Sequence, residues 1–523
     1  MQIVLRNVPA HRVGPQSVLE VATQEKFFRQ GRFWQYRLEK EEECMSNTAE
    51  LAVSKPRISS DVKHFLFLLI AVGLGALAYF APFMTSEVGR RAFAITILML
   101  TMYITETTSL AVTSLTGCLL YWVWAGIPLS KSFAGFFNDT PWYVLGVLLL
   151  GVMADSTGLA RRLAYNIICR LGSSYGRLLA GMMILNFLLT FIMPSANAKV
   201  LILCTIAIGM LESFGMGKDS RIGRGLVLAM TVQAGMFSVF VIAGAAAILA
   251  KGLIESAGKV QVTYGMWLVA FLPIWILTIV ASWFLIMKMY PPEKRMLEGG
   301  EEYCRAQLAK MGPISKREIK AMLILGVATL LWVTDHWHHI SAAKVGLAAG
   351  LFACMPLVGG LKKEEFAKAN FPIVIFIAGA MCMGTVMADT EILKTLTAAL
   401  FKWMTPVLSS ASVTAPVLMY WYNNIFHLFL GNESSLLVAT LPALMQFCLK
   451  EGFNPLAVGM LWTFATGGKV FLYQMSALAT GYSFGYFTTR DLFKIGVALF
   501  FVESFLLLII LPWYWPLIGL SWR

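Results

Sequence analysis

The residues able to do chemistry in this chain sit where apolar sequence is interrupted. One interruption reads Met193-Pro194-Ser195-Ala196-Asn197-Ala198-Lys199, and the other reads Gly431-Asn432-Glu433-Ser434-Ser435. Exposed polar backbone and charge are costly in hydrocarbon and persist only where protein or a water-filled cavity surrounds them. Helix ends at such a break expose free groups: N-termini favour anions, and carbonyls with small hydroxyls favour cations such as sodium. Ser195, Asn197, Asn432, Ser434 and Ser435 have side chains suited to either task. Lys199 could replace a metal ion electrostatically or salt-bridge an anionic substrate; its structural alternative is to snorkel along its helix to water. Glu433 could pair with Lys199, or load and release a proton once buried, against the alternative of a solvated vestibule carboxylate. Lys469, inside a later apolar segment, is a further candidate anion contact or one half of a structural ion pair.

These residues need elements that bring them together, and the sequence carries an internal repeat that would do so. The breaks at Ser195 and Asn432 lie 237 residues apart. Val152-Met153-Ala154-Asp155 returns as Val386-Met387-Ala388-Asp389 at an offset of 234, and Ile104-Thr105-Glu106 echoes Val333-Thr334-Asp335 at 229. Matching broken segments in duplicated halves point to a transporter whose site lies where the halves meet.

Composition sets the setting. The 523 residues are 58% hydrophobic and 14% charged, with a mean hydropathy of +0.70; a soluble domain carries about 25% charged residues. Apolar stretches of membrane-span length recur throughout, so the chain is an all-α, multi-pass membrane protein embedded in a lipid bilayer. The net charge of +13 does not imply nucleic acid, because the basic residues cluster between spans, as the positive-inside rule requires. The eight scattered cysteines suggest neither a disulfide framework nor a structural metal.

Residues 1–60 are polar, without a signal-peptide pattern. They are expected to be a cytoplasmic tail, or sequence upstream of a start at Met45. The first half covers 61–289, with apolar spans at 64–83, 93–108, 109–124 and 142–154. An amphipathic helix follows over 158–172, then a re-entrant hairpin over about 178–210, and spans at 226–249 and 266–289. A basic cytoplasmic linker, 290–320, carries seven Lys and Arg residues. The second half, 321–523, repeats the plan with spans at 321–334, 342–358 and 373–388 and an amphipathic stretch at 391–404. Its hairpin covers about 413–449, and spans at 456–478 and 492–512 complete it. Eleven spans and an odd number between equivalent points make the repeats inverted, with the N-terminus inside.

Three segments resemble the divalent anion/sodium symporters, the family of dicarboxylate, citrate and sulfate carriers. They are Ile104-Thr105-Glu106-Thr107-Thr108-Ser109-Leu110-Ala111-Val112-Thr113, then Gly158-Leu159-Ala160-Arg161-Arg162-Leu163-Ala164, and Gly485-Tyr486-Phe487-Thr488-Thr489-Arg490-Asp491-Leu492 continuing to Gly496. The resemblance covers residues 64–515 in order. It implies the fold, a homodimer, and a Ser-Asn-Thr motif at each hairpin tip serving sodium and substrate carboxylates. Here only Ser195 matches the first motif, and Asn432, Glu433 and Ser434 match the second only in polar character. The Thr-Pro-Pro-type turns of the family are absent near 242–245 and 475–478. The chain therefore reads as a divergent member.

The expected function is secondary active transport of small di- or tricarboxylate anions by alternating access, in a bacterial inner membrane. Loss of the sodium motif and gain of Lys199 and Glu433 favour sodium-independent exchange or proton coupling, with no other cofactor. Sodium-coupled symport of a dicarboxylate or sulfate is the alternative within transport. A membrane enzyme or an anion channel is the alternative outside it, and no catalytic motif supports an enzyme. Among other charges, Glu106 and Asp335 read as interfacial caps, Asp155 and Asp389 as caps of the amphipathic helices, His336, His338 and His339 as an interfacial turn, and His427 as core.

Overall fold

The structure, a computed structural model, describes residues 60–523 apart from 83, 171–173, 194, 295–299, 391, 410–412 and 523. All but the last residue of the expected tail, and the Met45 start, lie outside the described residues. The chain divides into two compact units, 1–66 and 67–523; the architecture below is that of the second. Among the described residues the secondary structure is helical, with no β-strand.

Helix α1 (Ser60–Tyr79) leads into α2 (Glu87–Thr105), α3 (Leu110–Val123), α4 (Asp139–Ser156) and α5 (Leu159–Cys169). Next come α6 (Tyr175–Ile192) and α7 (Ala196–Ser213), then α8 (Arg221–Met236) and α9 (Ala245–Gly258), and α10 (Tyr264–Met289). The segment between the halves holds a helix of its own, α11 (Gly300–Met311), packed on α5 and α7. The order then recurs: α12 (Lys316–Val333), α13 (Ala342–Cys354), α14 (Phe371–Asp389), α15 (Ile392–Phe401), α16 (Ala415–Phe429) and α17 (Glu433–Glu451). Helices α18 (Pro455–Ala465), α19 (Ser476–Ser483) and α20 (Thr489–Leu517) complete the chain.

Sequence chemistry fixes many of the helix starts. Ser86, Ser109, Ser220 and Thr263 accept the N–H three residues on, at the starts of α2, α3, α8 and α10. Ser315 with Glu318, and Thr488 with Asp491, form reciprocal capping boxes on α12 and α20. Each satisfies donors that a helix start otherwise leaves open.

By length and composition, six helices among the described residues can each cross a membrane: α1, α2, α7, α10, α14 and α20. Helices α4 and α5 meet at a 61° bend, and as one broken span they make a seventh. Helices α3, α6, α13 and α18 are apolar but shorter. Two segments expected as continuous spans are interrupted. The chain unwinds over 237–244 between α8 and α9, and over 466–475 between α18 and α19. The first interruption is apolar except for Ser238, and two of its carbonyls are satisfied from outside: Tyr143 Oη donates to Ile242 O at 2.6 Å and Trp267 Nε1 to Val239 O at 3.1 Å.

The two halves are pressed together most extensively where α4 meets α13. A Cβ on Gly146 would stand 2.2 Å from Gly346 O, and one on Gly350 would stand 2.6 Å from Gly146 Cα. Glycine on both helices permits this backbone-to-backbone approach, the small-residue packing typical of helices in lipid. Residues of α4 one turn on, from Val147 to Asp155, then face the cavity described next.

Candidate functional site

Both polar breaks are short links within helix pairs. Helix α6 ends at Ile192 and α7 begins at Ala196, with Ser195 as N-cap and its Oγ accepting Ala198 N at 3.3 Å. Helix α16 ends at Phe429 and α17 begins at Glu433, with Asn432 as N-cap and its Oδ1 accepting Ser434 N at 2.9 Å. Pro194 lies outside the described residues.

The two tips open on one cavity of about 410 Å³. Ser195 and Asn197 line it from the first half, and Asn432, Glu433 and Ser434 from the second. Both unwound segments contribute as well, through Ser238 and residues 243–246 on one side and Gln474, Met475 and Ser476 on the other. Four helices therefore begin at this cavity: α7 and α17 at the tips, and α9 and α19 at the unwound segments. Gly244 and Met475, the N-caps of α9 and α19, supply no side-chain acceptor. No side chain caps the first turns of α9 and α19, although Leu478 N of α19 donates to Met475 O at 3.1 Å, and the four helix starts bring positive dipole ends to the cavity.

The walls cross between halves. Asn197 Nδ2 donates to Ser476 Oγ at 3.0 Å, tying the first tip to α19. Ser238 Oγ of the first unwound segment donates to Glu433 Oε2 at 3.4 Å. Asn432 Nδ2 donates to Glu106 Oε1 at 3.4 Å, and Ser435 Oγ, behind the tip, donates to Tyr103 O at 3.3 Å. Glu106 ends α2 in the left-handed region, φ +48°.

The structure places the charged candidates unevenly. Glu433, 9% exposed, lines the cavity and pairs with Lys469 at 2.9 Å. Lys469, 5% exposed, also donates to Gly235 O at 3.2 Å and stands behind the wall. Lys199 does not line the cavity and is not beside Glu433. It is 1% exposed, so it does not snorkel to water, and its ammonium donates to Thr190 Oγ1 at 2.9 Å between the arms of the first hairpin. Asp155 and Lys368 stand exposed at the margin of the cavity.

The other charges have structural partners. Asp335 accepts Tyr264 N at 2.6 Å and Gly265 N at 3.2 Å, capping α10. Gly158, not Asp155, is the N-cap of α5, and Asp155 stands 3.9 Å from Arg161. Asp389 pairs with Lys131 at 2.7 Å. His338 bonds its own turn through Leu331 O, and among the described residues no group of His, Cys, Asp or Glu is arranged to hold a metal ion.

Sequence reading missed Ser238, Gln474 and Ser476, because they belong to spans that hydropathy reads as unbroken. The usable signals were local: Gly467-Gly468 in the second segment, and Gly244 before the small run Ala245-Ala246-Ala247 in the first.

A helical membrane protein with a cavity assembled from paired helical tips and interrupted helices is a membrane transporter, not an enzyme. The chain belongs to the family described as the sodium:sulfate symporter transmembrane region, which it matches over residues 61–521. It is similar to the sodium-dependent dicarboxylate transporter SdcS of Staphylococcus saprophyticus, with 25% identity over 74% of this chain and 80% of that protein. It is also similar to the L-tartrate/succinate antiporter of Escherichia coli, with 24% identity over 74% of this chain and 80% of that protein. The crystal structure of the Alcanivorax borkumensis YdaH transporter shares the fold, with a TM-score of 0.52 at 13% identity, covering 87% of this chain and 99% of that one.

Proposed function

We propose that this protein carries small dicarboxylate anions by alternating access, by exchange or with protons rather than with sodium. The observation that carries the reading is the convergence of four helix N-termini, two from each half, on one cavity. Backbone N–H groups at positive dipole ends recognise carboxylate oxygens without a fixed counter-ion. A cavity of about 410 Å³ is of small-molecule size. The names of the relatives, dicarboxylate and tartrate/succinate carriers, support the substrate class.

Sodium independence follows from the charges near the tips. Lys199 lies buried just behind the first tip, bonded to Thr190 Oγ1, and when protonated it adds positive potential there without touching the substrate. Glu433, neutralised by Lys469, leaves the second tip with no net negative charge to attract sodium. We also assign the protein to the bacterial inner membrane, and the distribution of Lys and Arg supports a cytoplasmic basic linker and N-terminus.

The test is uptake of labelled succinate, malate and tartrate into proteoliposomes, with and without sodium, together with counterflow against unlabelled substrate. Sodium-free uptake with counterflow is expected. Strict sodium dependence would sink the coupling assignment, and conductive flux without counterflow would make the protein a channel. Lys199→Thr should weaken substrate affinity and bring in sodium dependence; unchanged affinity and ion response would deny Lys199 any part in ion coupling.

A further inference from the structure

The repeated tetrapeptide places an aspartate in the last turn of α4, Asp155, and another in the last turn of α14, Asp389. The segments before these helices correspond too: the short helices Leu129–Ser132 and Lys363–Phe366 stand at the same offset of 234. Each segment carries a lysine, Lys131 in the first short helix and Lys368 just past the second. Lys368 lies three residues beyond the exact counterpart of Lys131, which is Glu365, already held by Arg317 at 2.7 Å. The two long helices run in opposite directions. Lys131, before the start of α4, pairs with Asp389 at the end of α14 at 2.7 Å, while Asp155, at the end of α4, and Lys368, before the start of α14, line one cavity. Each aspartate thus shares an end of the protein with the lysine of the other half.

The two ends are in different states. Asp155 and Lys368 stand at the linker's end, as the bonds of Arg162 to Glu318 and to Gly312 O mark it, and the cavity is open between them. Three charged residues line that cavity among the described residues: Glu433 is answered by Lys469, Asp155 stands 3.9 Å from Arg161, and Lys368 has no ion-pair partner. The far end is shut. Lys131 and Asp389 are paired there, and α9 is packed on the start of α4, where a Cβ on Gly252 would stand 2.3 Å from Thr140 Oγ1. Inverted halves in two arrangements describe both states of a carrier, because exchanging the arrangements gives the state that faces the other way. Here the exchange closes Asp155 on Lys368 and parts Lys131 from Asp389.

We propose that Asp155–Lys368 and Asp389–Lys131 are alternating ion pairs at the two mouths of the cavity, so that a free lysine meets the dianion only on the open side. The inference rests on the carrier reading above. The lysine of the closed mouth is neutralised by its aspartate. The lysine of the open mouth is released and adds a positive charge on the way to the four helix starts. Both pairs involve exposed side chains, and exposed ion pairs contribute little. They therefore bias the equilibrium between the two states by about two- to fivefold and do not lock it.

The test uses the full-length protein in lipid nanodiscs, where both faces meet water. Thr140 is 2% exposed at the closed far mouth, so Thr140→Cys should react with a charged maleimide only in the state that opens there. Lys131→Gln or Asp389→Asn removes the far pair and should speed this labelling by about two- to fivefold over the same background. Lys368→Gln, at the other end of α4, should slow it by a similar factor, because the far-open state then lacks its closing pair. A merely local effect of either lysine would not give opposite signs at one reporter. Exchanging charges, Lys131→Asp with Asp389→Lys, should restore the original rate, and high salt should shrink every difference. The succinate KM should rise up to about fivefold in Lys368→Gln and not in Lys368→Arg. Labelling unmoved by Lys368→Gln, slowed by both far-end variants, or not restored by the exchange would overturn the proposal, as would an unchanged KM. If wild type shows no counterflow with succinate, malate or tartrate, the carrier reading fails, and the labelling rates still decide whether the two mouths alternate.

Discussion

Removing Lys469 should cost far more than removing the carboxylate it touches. Lys469 is 5% exposed and is within reach of two acids, Glu433 by direct contact at 2.9 Å and Glu503 through its field. Lys469→Met leaves both carboxylates without a cation, and stripping one partner from a buried pair costs about 3–5 kcal/mol. Glu433→Gln leaves the ammonium with Gly235 O at 3.2 Å and with the charge of Glu503, so its loss is that of one charge-assisted hydrogen bond, about 1.5–3 kcal/mol. The expected order is therefore Lys469→Met well below Glu433→Gln, with Glu433→Gln below wild type. Adding Glu433→Gln and Glu503→Gln to Lys469→Met should recover much of the stability, because neutral amides need no counter-charge. Equilibrium unfolding in mixed micelles at neutral pH measures each difference. In acid, where carboxylates take up protons, the penalty of Lys469→Met should shrink. Equal losses for the two single variants, or no recovery in the triple variant, would refute the shared-lysine reasoning.

Three further outcomes follow from geometry already given. Gly146→Val should prevent assembly of the folded protein, since even a Cβ there would stand 2.2 Å from Gly346 O; monodisperse, stable Gly146→Val protein on size exclusion would contradict the packing. Asn197→Leu removes the bond to Ser476 and should weaken dicarboxylate binding by about fivefold, corresponding to about 1 kcal/mol for one hydrogen bond, read by calorimetric titration. Glu365, in the short helix Lys363–Phe366 before α14, is partly buried, which raises its pKa, but Lys362 N–H and the Arg317 guanidinium outweigh this and hold it below its ordinary 4.5. A lowered folded value means stability present above the unfolded pKa and lost as pH falls through the folded one. The deficit of Glu365→Gln relative to wild type should thus be complete at neutral pH, begin to shrink near 4.5 and vanish only below the lowered folded value.

The helix order and membrane class were legible because hydropathy, length and one repeated tetrapeptide report them directly. The tips were legible because serine, asparagine and glutamate stand out in apolar surroundings. The unwound segments were not. Phe237, Val239, Phe240, Val241 and Ile242 look like span to any hydropathy scan, and their non-helical backbone is held by Tyr143 and Trp267, distant in sequence. Lys199 was readable as an unusual charge, but its partner Thr190 on the opposite arm depends on how the hairpin closes. Past the first turn, where Asp491 caps the start, Glu503 was the lone acid in a 29-residue apolar helix and could have been singled out on that ground alone. Its bond to Tyr420, 83 residues away, is purely tertiary.

The crossing of the cavity walls bears on ancestry. Asn197 meets Ser476, Glu433 meets Ser238 and Asn432 meets Glu106, each pair joining one half to the other. A polypeptide the length of one half would carry one tip, one unwound segment and only part of an enclosure. Before duplication and fusion, such an ancestor could have formed this enclosure only by pairing with a second copy of itself. In one continuous chain the two tip regions are free to differ, with a lysine in one and a glutamate in the other.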